Sequence, residues 1–315
     1  MKTKIISIDQ KNPQEDRIKK ASEIILKGGL VAFPTETVYG LGANAFDEKA
    51  IAKIFTAKGR PQDNPLIVHI SNKKDIYKLS SNVNEKCLNL IEKFWPGPLT
   101  IILKKSDLIS KKVTAGLDSV AIRMPTNKIA LELIKKSTVP IAAPSANKSS
   151  KPSPTRATHV LDDLNNKIDA VIDAGEVDIG IESSVLDLSG KTPQLLRPGK
   201  ITKKQIEKVI GKVEEKTKTK RPKSPGMKYK HYSPNAKVII ISSKKEKETI
   251  QKKEPYKKIK LLSYSDETTM AHNLFHDFRE CDKEGIQIIL VQSIKEKDFG
   301  QAIMNRLKKA SENKN

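Results

Sequence analysis

The sequence predicts an α/β protein with a large first domain and a small second one. Short apolar segments alternate with amphipathic ones over the first two thirds of the chain, as in an open sheet covered by helices. The composition changes after Gly211, where residues 214–223 read EEKTKTKRPK and hold almost no apolar side chains. Strand–helix repeats resume at Lys237 and predict a small parallel, Rossmann-like sheet. We therefore assign residues 1–211 to the large domain, 212–236 to a linker and 237–315 to the small domain.

Apolar runs and capping residues predict the elements of the large domain. Asn12 is expected to cap the first helix, with Pro13 at its first position and Gly28-Gly29 at its end. Thr155 is expected to cap a helix that ends near residue 164. Strands are predicted at residues 5–8, 30–35, 65–70, 99–103, 119–123, 139–143, 170–173, 184–188 and 194–197. Further helices are predicted at residues 47–57, 84–94, 129–135, 155–164 and 202–210.

The small domain follows a linker with an unusual composition. Residues 224–234 read SPGMKYKHYSP and include two tyrosines, a methionine and a histidine, which a plain spacer does not need. Strands are then predicted at residues 238–241, 258–264 and 287–291, and helices at 245–251, 267–279 and 301–309.

The composition excludes several classes of protein. Cys87 and Cys281 lie far apart and in no metal-ligand spacing, which argues against a disulfide scaffold and a zinc finger. No apolar run approaches the length of a membrane span, and the N-terminus turns polar before a signal core forms. We expect a soluble, cytoplasmic protein. The net charge of +22 favours a polyanionic partner, but most of the excess is lysine along helical faces and linkers.

The stretch FPTETVYGLGANA, residues 33–45, contains the glycine pattern of a dinucleotide turn. In that motif the glycines follow the strand directly, and an acidic residue ends the next strand. Here residues 35–39 separate the strand from Gly40, and the next strand ends in His69-Ile70. We therefore reject a nicotinamide site and expect the glycines to permit a tight turn or close approach to a ligand.

His272 and His276 have a spacing of four residues, which can bind zinc on one helix face. No third ligand is evident in the sequence, so we interpret them as surface histidines.

Cationic residues recur where predicted strands and helices end. Lys58 and Arg60 flank Gly59, Arg123 ends a buried strand, and Arg197 ends another. Lys58 alone could simply stabilise the carboxyl end of its helix. A cation at the end of a buried strand, however, needs an anionic partner. Because ligands of open sheets bind at strand ends, these residues predict a cavity for an anionic ligand.

The chain resembles the threonylcarbamoyl-AMP synthase family. The motifs are FPTETVYGLG, KGRP-x-x-NPLIVH, WPGPLT, VAIRMP, PSAN and LLRPG, in this order, followed by GMKYKHYSP in the linker and AIMNRLKKAS near the end. They match the larger, two-domain type (Sua5) and not the single-domain type (YrdC). The resemblance implies a large twisted mixed-sheet domain followed by a small Rossmann-like domain.

The resemblance also implies the reaction: L-threonine, bicarbonate and ATP give threonylcarbamoyl-AMP and pyrophosphate. The product would pass to a downstream tRNA threonylcarbamoyl transferase, which modifies tRNAs that read codons starting with A. Mg²⁺ is expected on the ATP phosphates.

By resemblance, the site residues divide between the two substrates. Those expected to contact L-threonine are Thr35, His69, Arg123 and Ser183. Those expected to bind ATP are Lys58, Arg60, Asn64, Ser119, Ser145, Asn147, Ser153, Arg197 and Tyr232, with Lys58 and Arg60 also assigned to catalysis. Tyr232 would close over the nucleotide as part of a lid.

Two other functions are weighed against this one, and the first remains as an alternative. A module that binds double-stranded RNA or tRNA would suit the basic composition, and weak RNA binding is compatible with the enzyme as well. A hydrogenase-maturation carbamoyltransferase shares the large domain, but it carries an acylphosphatase domain and cysteine-rich zinc fingers. With two cysteines, this chain does not fit that class.

Overall fold

The computed structural model describes residues 2–215 and 231–312. Most of the linker predicted at residues 212–236 therefore lies outside the described residues. Strands of the large domain are β1 (Lys4–Ser7), β2 (Val31–Phe33), β3 (Gly40–Asn44), β4 (Ile67–His69), β5 (Leu99–Lys104), β6 (Ser119–Arg123), β7 (Ile141–Ala143), β8 (Ala170–Asp173), β9 (Ser184–Asp187), β10 (Gln194–Arg197) and β11 (Glu214–Glu215). Its helices are α1 (Glu15–Leu26), α2 (Glu48–Lys58), α3 (Ile76–Leu79), α4 (Glu85–Phe94), α5 (Lys111–Thr114), α6 (Lys128–Ser137), α7 (Ala157–Leu164) and α8 (Lys203–Ile210).

The large domain is built on one mixed sheet. Its strands follow the order β1-β8-β2-β3-β7-β4-β6-β5-β9-β10-β11. β4 and β6 run parallel with His69 opposite Arg123, while β3 and β7 pair antiparallel. The parallel register brings the carboxyl ends of β4 and β6 to the same edge, so these two side chains face one region.

The sheet is buried on both faces. Along β2, Val31 and Phe33 belong to one core cluster and Ala32 to another, as the alternation of a strand requires. Ile18 of α1 and Leu133 of α6 pack in the first cluster, because these helices lie side by side. The buried sheet therefore supports the loops that connect its strands and helices.

The small domain confirms the second part of the predicted fold class. Its elements are β12 (Lys237–Ile241), α9 (Lys244–Lys253), β13 (Ile259–Leu262), α10 (Glu267–Lys283), β14 (Ile288–Gln292) and α11 (Phe299–Ser311). All pairings are parallel, in the order β12-β14-β13. Phe275 and Phe278 of α10 and Leu307 of α11 lie in its core.

The structure differs from the sequence prediction in several details: α3, α5 and β11 were not predicted, and three further differences concern two helix starts and one strand. The first helix begins at Glu15 after Gln14, because the Asp9 carboxylate accepts from the backbone N–H groups of Lys11 and Asn12 and forms a turn there. The N-cap of α7 is Arg156, one residue later than predicted. Residues 40–44 form β3, a buried strand in place of the expected turn, and glycine content concealed it.

Across the described parts of the chain, 2–215 and 231–312, no helix combines the length and the apolar character that crossing a membrane requires.

Candidate active site

A cavity lies at the edge of the large sheet where the predicted ligand loops converge. Its walls come from the β2–β3 turn, the ends of β4, β6 and β10, the loop after β7 and the segment before β9. The lining residues are Thr35, Thr37, Val38, Gly40, Arg60, Ile67, His69, Arg123, Ala143, Pro144, Ser145, Asn147, Lys151, Ser153, Glu182, Ser183, Arg197, His231 and Tyr232. Most of the residues predicted from the sequence are thus brought together.

The β2–β3 turn presents ordered hydroxyl groups. The Thr35 hydroxyl donates to the carbonyl of Val38 at 2.7 Å and accepts from the backbone N–H groups of Thr37 and Val38 at 3.2 Å. It also lies 2.8 Å from the Thr37 hydroxyl. The tight turn fixes two small polar groups in the wall of the cavity.

Arg123 is held by an internal carboxylate. Its Nη2 lies 2.7 Å from Glu36 Oε1, with both side chains buried, and its Nη1 donates to the Thr37 hydroxyl at 2.9 Å. The sequence predicted that this cation needs an anion and expected the ligand to supply it. The structure supplies Glu36, so an incoming carboxylate would meet a guanidinium that is already oriented.

His69 is buried and neutral at physiological pH. Burial and the neighbouring charge of Arg123 lower the pKa of its imidazole to about 3. Its ring meets Phe33 edge-on, with centroids 6.1 Å apart. Among the described residues its Nδ1 has no hydrogen-bond partner. A buried ring nitrogen in a cavity wall suits a ligand that completes the hydrogen bond.

Lys58 lies behind the cavity wall and not in it. As the last residue of α2, it donates from Nζ to the carbonyls of Ser145, at 2.5 Å, and Asn147. Burial and the charge of Arg60 lower the pKa of Lys58 well below its usual range. It therefore braces the PSAN loop, in which Ser145 donates to Asn147 Oδ1 at 2.5 Å. Its predicted contact with phosphate stays a prediction.

Arg60 reaches the cavity because α2 ends at a glycine. Gly59 has φ 58°, a left-handed conformation that glycine adopts without strain, and it turns the chain sharply after Lys58. Arg60 donates to the carbonyls of Asn64 and Pro65 at 3.2 to 3.4 Å. Asn64 is buried beside Arg60 but does not line the cavity.

Ser119 is a predicted site residue at the opposite end of β6 from Arg123. It begins β6, four residues before Arg123, and lies on the same face of the strand because side chains alternate. It is buried but does not line the cavity. Its predicted contact with ATP would require a ligand that extends along β6.

Arg197 is fixed to Ser183 at the far wall. Its Nε donates to the carbonyl of Ser183 at 2.9 Å and its Nη2 lies 3.1 Å from the same residue's hydroxyl. That hydroxyl is also 2.7 Å from the Thr100 hydroxyl. Arg197 and Ser183 thus form one rigid unit that exposes a cation and a hydroxyl to the cavity.

The segment before β12 closes the cavity from the side of the small domain. Tyr232 is buried and stacks on Phe275 of α10, with ring centroids 5.2 Å apart. Burial and the charge of Arg60 lower the pKa of His231 to about 3. Residues 216–230, which include the rest of the predicted lid, lie outside the described residues.

Four charged residues at or beside the cavity were not assigned a role from the sequence: Glu36, Lys151, Glu182 and Arg306. Glu36 stands inside the quoted motif FPTETVYGLG and Glu182 in residues 180–183, which read GIES, and an acid among loops rich in cationic and hydroxyl groups was a usable signal. Arg306 stands in the apolar run AIMNRL, where an arginine is expensive to bury without a partner. Glu182 and Arg306 pair at 2.9 Å across the two domains.

The interpretation of His272 and His276 as surface residues was wrong, because both lie between the domains. His272 contacts the Asp178 carbonyl and the Glu176 carboxylate, each at 3.1 Å. His276 stacks on His159, with Nδ1 3.2 Å from His159 Nε2.

His159, His276 and Glu280 are close enough together to be considered for a metal ion. His159 Nδ1 accepts the Thr155 backbone N–H, so Nε2 of the neutral ring carries the proton and has no lone pair for a metal.

Comparison with known proteins identifies the family. Residues 23–199 match a family model described as telomere recombination, and residues 201–312 match one described as the C-terminal domain of threonylcarbamoyl-AMP synthase. A threonylcarbamoyl-AMP synthase of Pyrococcus abyssi is 47% identical over 322 residues, 95% of this chain and 95% of that protein. One of Bacillus subtilis is 42% identical over 340 residues, 99% of this chain and 98% of that protein.

Structural comparison gives the same result. The crystal structure of P. abyssi Sua5 complexed with L-threonine matches with a TM-score of 0.94 and 45% identity, over 98% of each chain. The resemblance inferred from the motifs is confirmed, and so is the two-domain type. The chain belongs to the threonylcarbamoyl-AMP synthase family.

Proposed function

We propose that this chain makes threonylcarbamoyl-AMP and pyrophosphate from L-threonine, bicarbonate and ATP. The observation that carries the proposal is the cavity in which Arg60, Arg123 and Arg197 converge beside the hydroxyl groups of Thr35 and Thr37. The relatives from P. abyssi and B. subtilis are named for this activity, and the P. abyssi protein has been crystallised with L-threonine.

L-Threonine is proposed to bind beside the β2–β3 turn. Arg123 would share its remaining guanidinium donors with the substrate carboxylate, and Glu36 would hold it in place. Thr35, His69 and Ser183 would surround the amino and hydroxyl groups, since each lines the same cavity. The neutral His69 leaves the substrate amine free of a competing positive charge.

ATP is proposed to bind toward Arg60, Arg197 and the PSAN loop. Ser145, Asn147 and Ser153 line this part of the cavity and supply hydrogen-bonding groups. Lys58 is assigned here to positioning the loop, and Asn64 to supporting Arg60 from behind. Tyr232 would shield the nucleotide from water.

The chemistry needs positioning and charge, not a protein nucleophile. The threonine amine adds to bicarbonate with loss of water and gives a carbamate. A carbamate oxygen then attacks the α-phosphorus of ATP, and the bond to the β-phosphate oxygen breaks to release pyrophosphate. Arginine side chains oriented at both anions lower the repulsion between them and stabilise charge on the leaving group.

Mg²⁺ is proposed to enter with ATP as the substrate complex. Glu182 lines the cavity, Glu36 lies beside the cavity residue Arg123, and each of these carboxylates is paired with an arginine among the described residues. The phosphates themselves are therefore the better ligands, and Mg²⁺ would neutralise the leaving pyrophosphate.

The product is a mixed anhydride that water hydrolyses, so a downstream tRNA threonylcarbamoyl transferase must consume it. We place this pathway in the cytoplasm, in agreement with two buried, free thiols at Cys87 and Cys281. RNA binding as the main function is not favoured. Arg60, Arg123 and Arg197 are buried, whereas a nucleic-acid backbone is bound by exposed basic residues.

The test is pyrophosphate release with each substrate left out in turn. We expect release only when L-threonine, bicarbonate and MgATP are all present. Release that persists without threonine would show an ATP hydrolase and contradict the proposal.

A further inference from the structure

Arg306 is a fully buried cation that the small domain inserts against the cavity wall. It stands on α11, and its side chain is 0% exposed. Its neighbours on the helix, Ile303 and Leu307, belong to the small-domain core. Burial of an arginine at such a position is costly unless its donors are satisfied.

The donors of Arg306 are directed at the large domain. Nε donates to Glu182 Oε2 at 2.9 Å, Nη2 to the Glu182 carbonyl at 3.3 Å and Nη1 to the Pro198 carbonyl at 2.8 Å. Further contacts of Nη1 stay on the same helix, with the Ala302 carbonyl at 3.4 Å and Asn305 Oδ1 at 3.2 Å. One side chain thus ties together the segments that precede β9 and follow β10.

Glu182 connects Arg306 to the cavity. It lines the cavity, and its Oε1 accepts a hydrogen bond of 2.5 Å from the hydroxyl of Ser153, which lines the cavity as well. Burial acts to raise the pKa of Glu182, but the charges of Arg306 and Arg197 outweigh it and lower the pKa to about 2. The carboxylate therefore stays ionised and acts as a fixed acceptor.

Arg306 also faces the residue that closes the cavity. Its guanidinium carbon lies 5.7 Å from the centroid of the Tyr232 ring, which also stacks on the ring of Phe275 and meets the ring of His231 at 5.6 Å. Two residues of the small domain therefore hold Tyr232 in the cavity wall.

We propose that Arg306 is a positioning residue of the nucleotide side of the cavity, supplied by the small domain. By holding Glu182 it fixes the direction of the Ser153 hydroxyl, and by facing Tyr232 it fixes the wall against which the nucleotide binds. This inference rests on the proposed function. It gives the small domain a direct part in substrate binding.

The test compares Arg306→Lys with the wild type. Lysine keeps the charge near Glu182 but cannot form the guanidinium fork that reaches Glu182 and Pro198 together. We expect the KM for MgATP to rise about tenfold, the loss expected for one charge-assisted hydrogen bond, with kcat and the KM for threonine changed less than about twofold. Calorimetric titration with MgATP alone is expected to give the same fold-change in Kd.

Three further variants complete the design. Lys308→Ala removes an exposed cation of the same helix that pairs with Glu296. It is expected to leave kcat, the KM values for MgATP and threonine, and the Kd for MgATP unchanged. Glu182→Gln removes the partner charge. The double variant Glu182→Gln/Arg306→Lys is expected to bind MgATP no more weakly than the single variant with the higher Kd, because both substitutions act through one contact.

If Arg306 served folding alone, Arg306→Lys would lower kcat in proportion to the folded fraction and leave the KM and Kd for MgATP unchanged. A wild type that binds MgATP but shows no threonine-dependent pyrophosphate release would contradict the proposed function instead. The titration would still decide the role of Arg306.

Discussion

Glu36 and Arg123 show what individual residues contribute to the cavity. The pair is almost fully buried, with side chains 5% and 4% exposed, and 2.7 Å separates the carboxylate from the guanidinium. The sequence indicated where Arg123 would lie because strand ends in an open sheet are predictable. It could not indicate that Glu36 would meet it, because that contact joins the turn after β2 to the end of β6.

Removing one member of this pair leaves a buried charge without its partner. Arg123→Met is therefore expected to lower the free energy of unfolding by about 3–5 kcal/mol. Urea denaturation of the wild type and variant measures the difference.

The double variant Glu36→Gln/Arg123→Met removes both charges and is expected to recover a large part of the lost stability. If the single variant proved as stable as the wild type, the ion pair would have no structural role.

At the scale of elements, β3 explains why part of the site was not predicted. Its sequence GLGAN lacks the β-branched residues typical of strands, so propensity indicated a turn. The strand forms because it pairs with β2 and β7 and because Gly42 lets Phe33 and Ile141 pack closely. Tertiary packing thus outweighed the low strand propensity of this segment. The β2–β3 turn, which carries Thr35 and Thr37, therefore connects two paired strands.

Gly42→Ala is expected to strain this packing. A Cβ atom at Gly42 would lie 2.7 Å from side-chain carbons of both Ile141 and Phe33. Overpacking of this kind costs about 1–3 kcal/mol, which thermal or urea unfolding measures.

Gly190→Ala is the matched control, because a Cβ there meets nothing within 4 Å and the backbone needs no positive φ. Its stability should stay within about 0.5 kcal/mol of the wild type. Equal stability of the two variants would show that Gly42 is not required for close packing.

At the scale of the whole molecule, buried polar contacts join the two domains. Arg279 of α10 lies 2.7 Å from Asp163 and donates to the Pro152 carbonyl, while His276 stacks on His159 of α7. The repeats of each domain were predictable from apolar periodicity. Their docking was not, because it depends on single charged and aromatic side chains far apart in the sequence.

This interface makes the stability of the protein depend on pH. Burial lowers the pKa of His159 to about 3, with added repulsion from Arg279, His276, Arg156 and Lys283. The unfolded chain takes up a proton near pH 6.5 and the folded protein does not, so stability falls as the pH drops below about 6.5.

His159→Gln is expected to reduce that slope by about 1 kcal/mol per pH unit on average between pH 7 and pH 5, toward the limit of about 1.4 kcal/mol per pH unit for one proton. Urea denaturation at about pH 7 and about pH 5 gives the slope for both proteins. An unchanged slope would mean that His159 is already protonated in the folded state.

Labelled bicarbonate tests most directly whether the protein makes threonylcarbamoyl-AMP. With L-threonine, MgATP and ¹³C-bicarbonate, mass spectrometry of the products should show one labelled carbon in an adduct of threonine and AMP, formed in step with pyrophosphate. Pyrophosphate or AMP released without an adduct that carries the label would contradict the account.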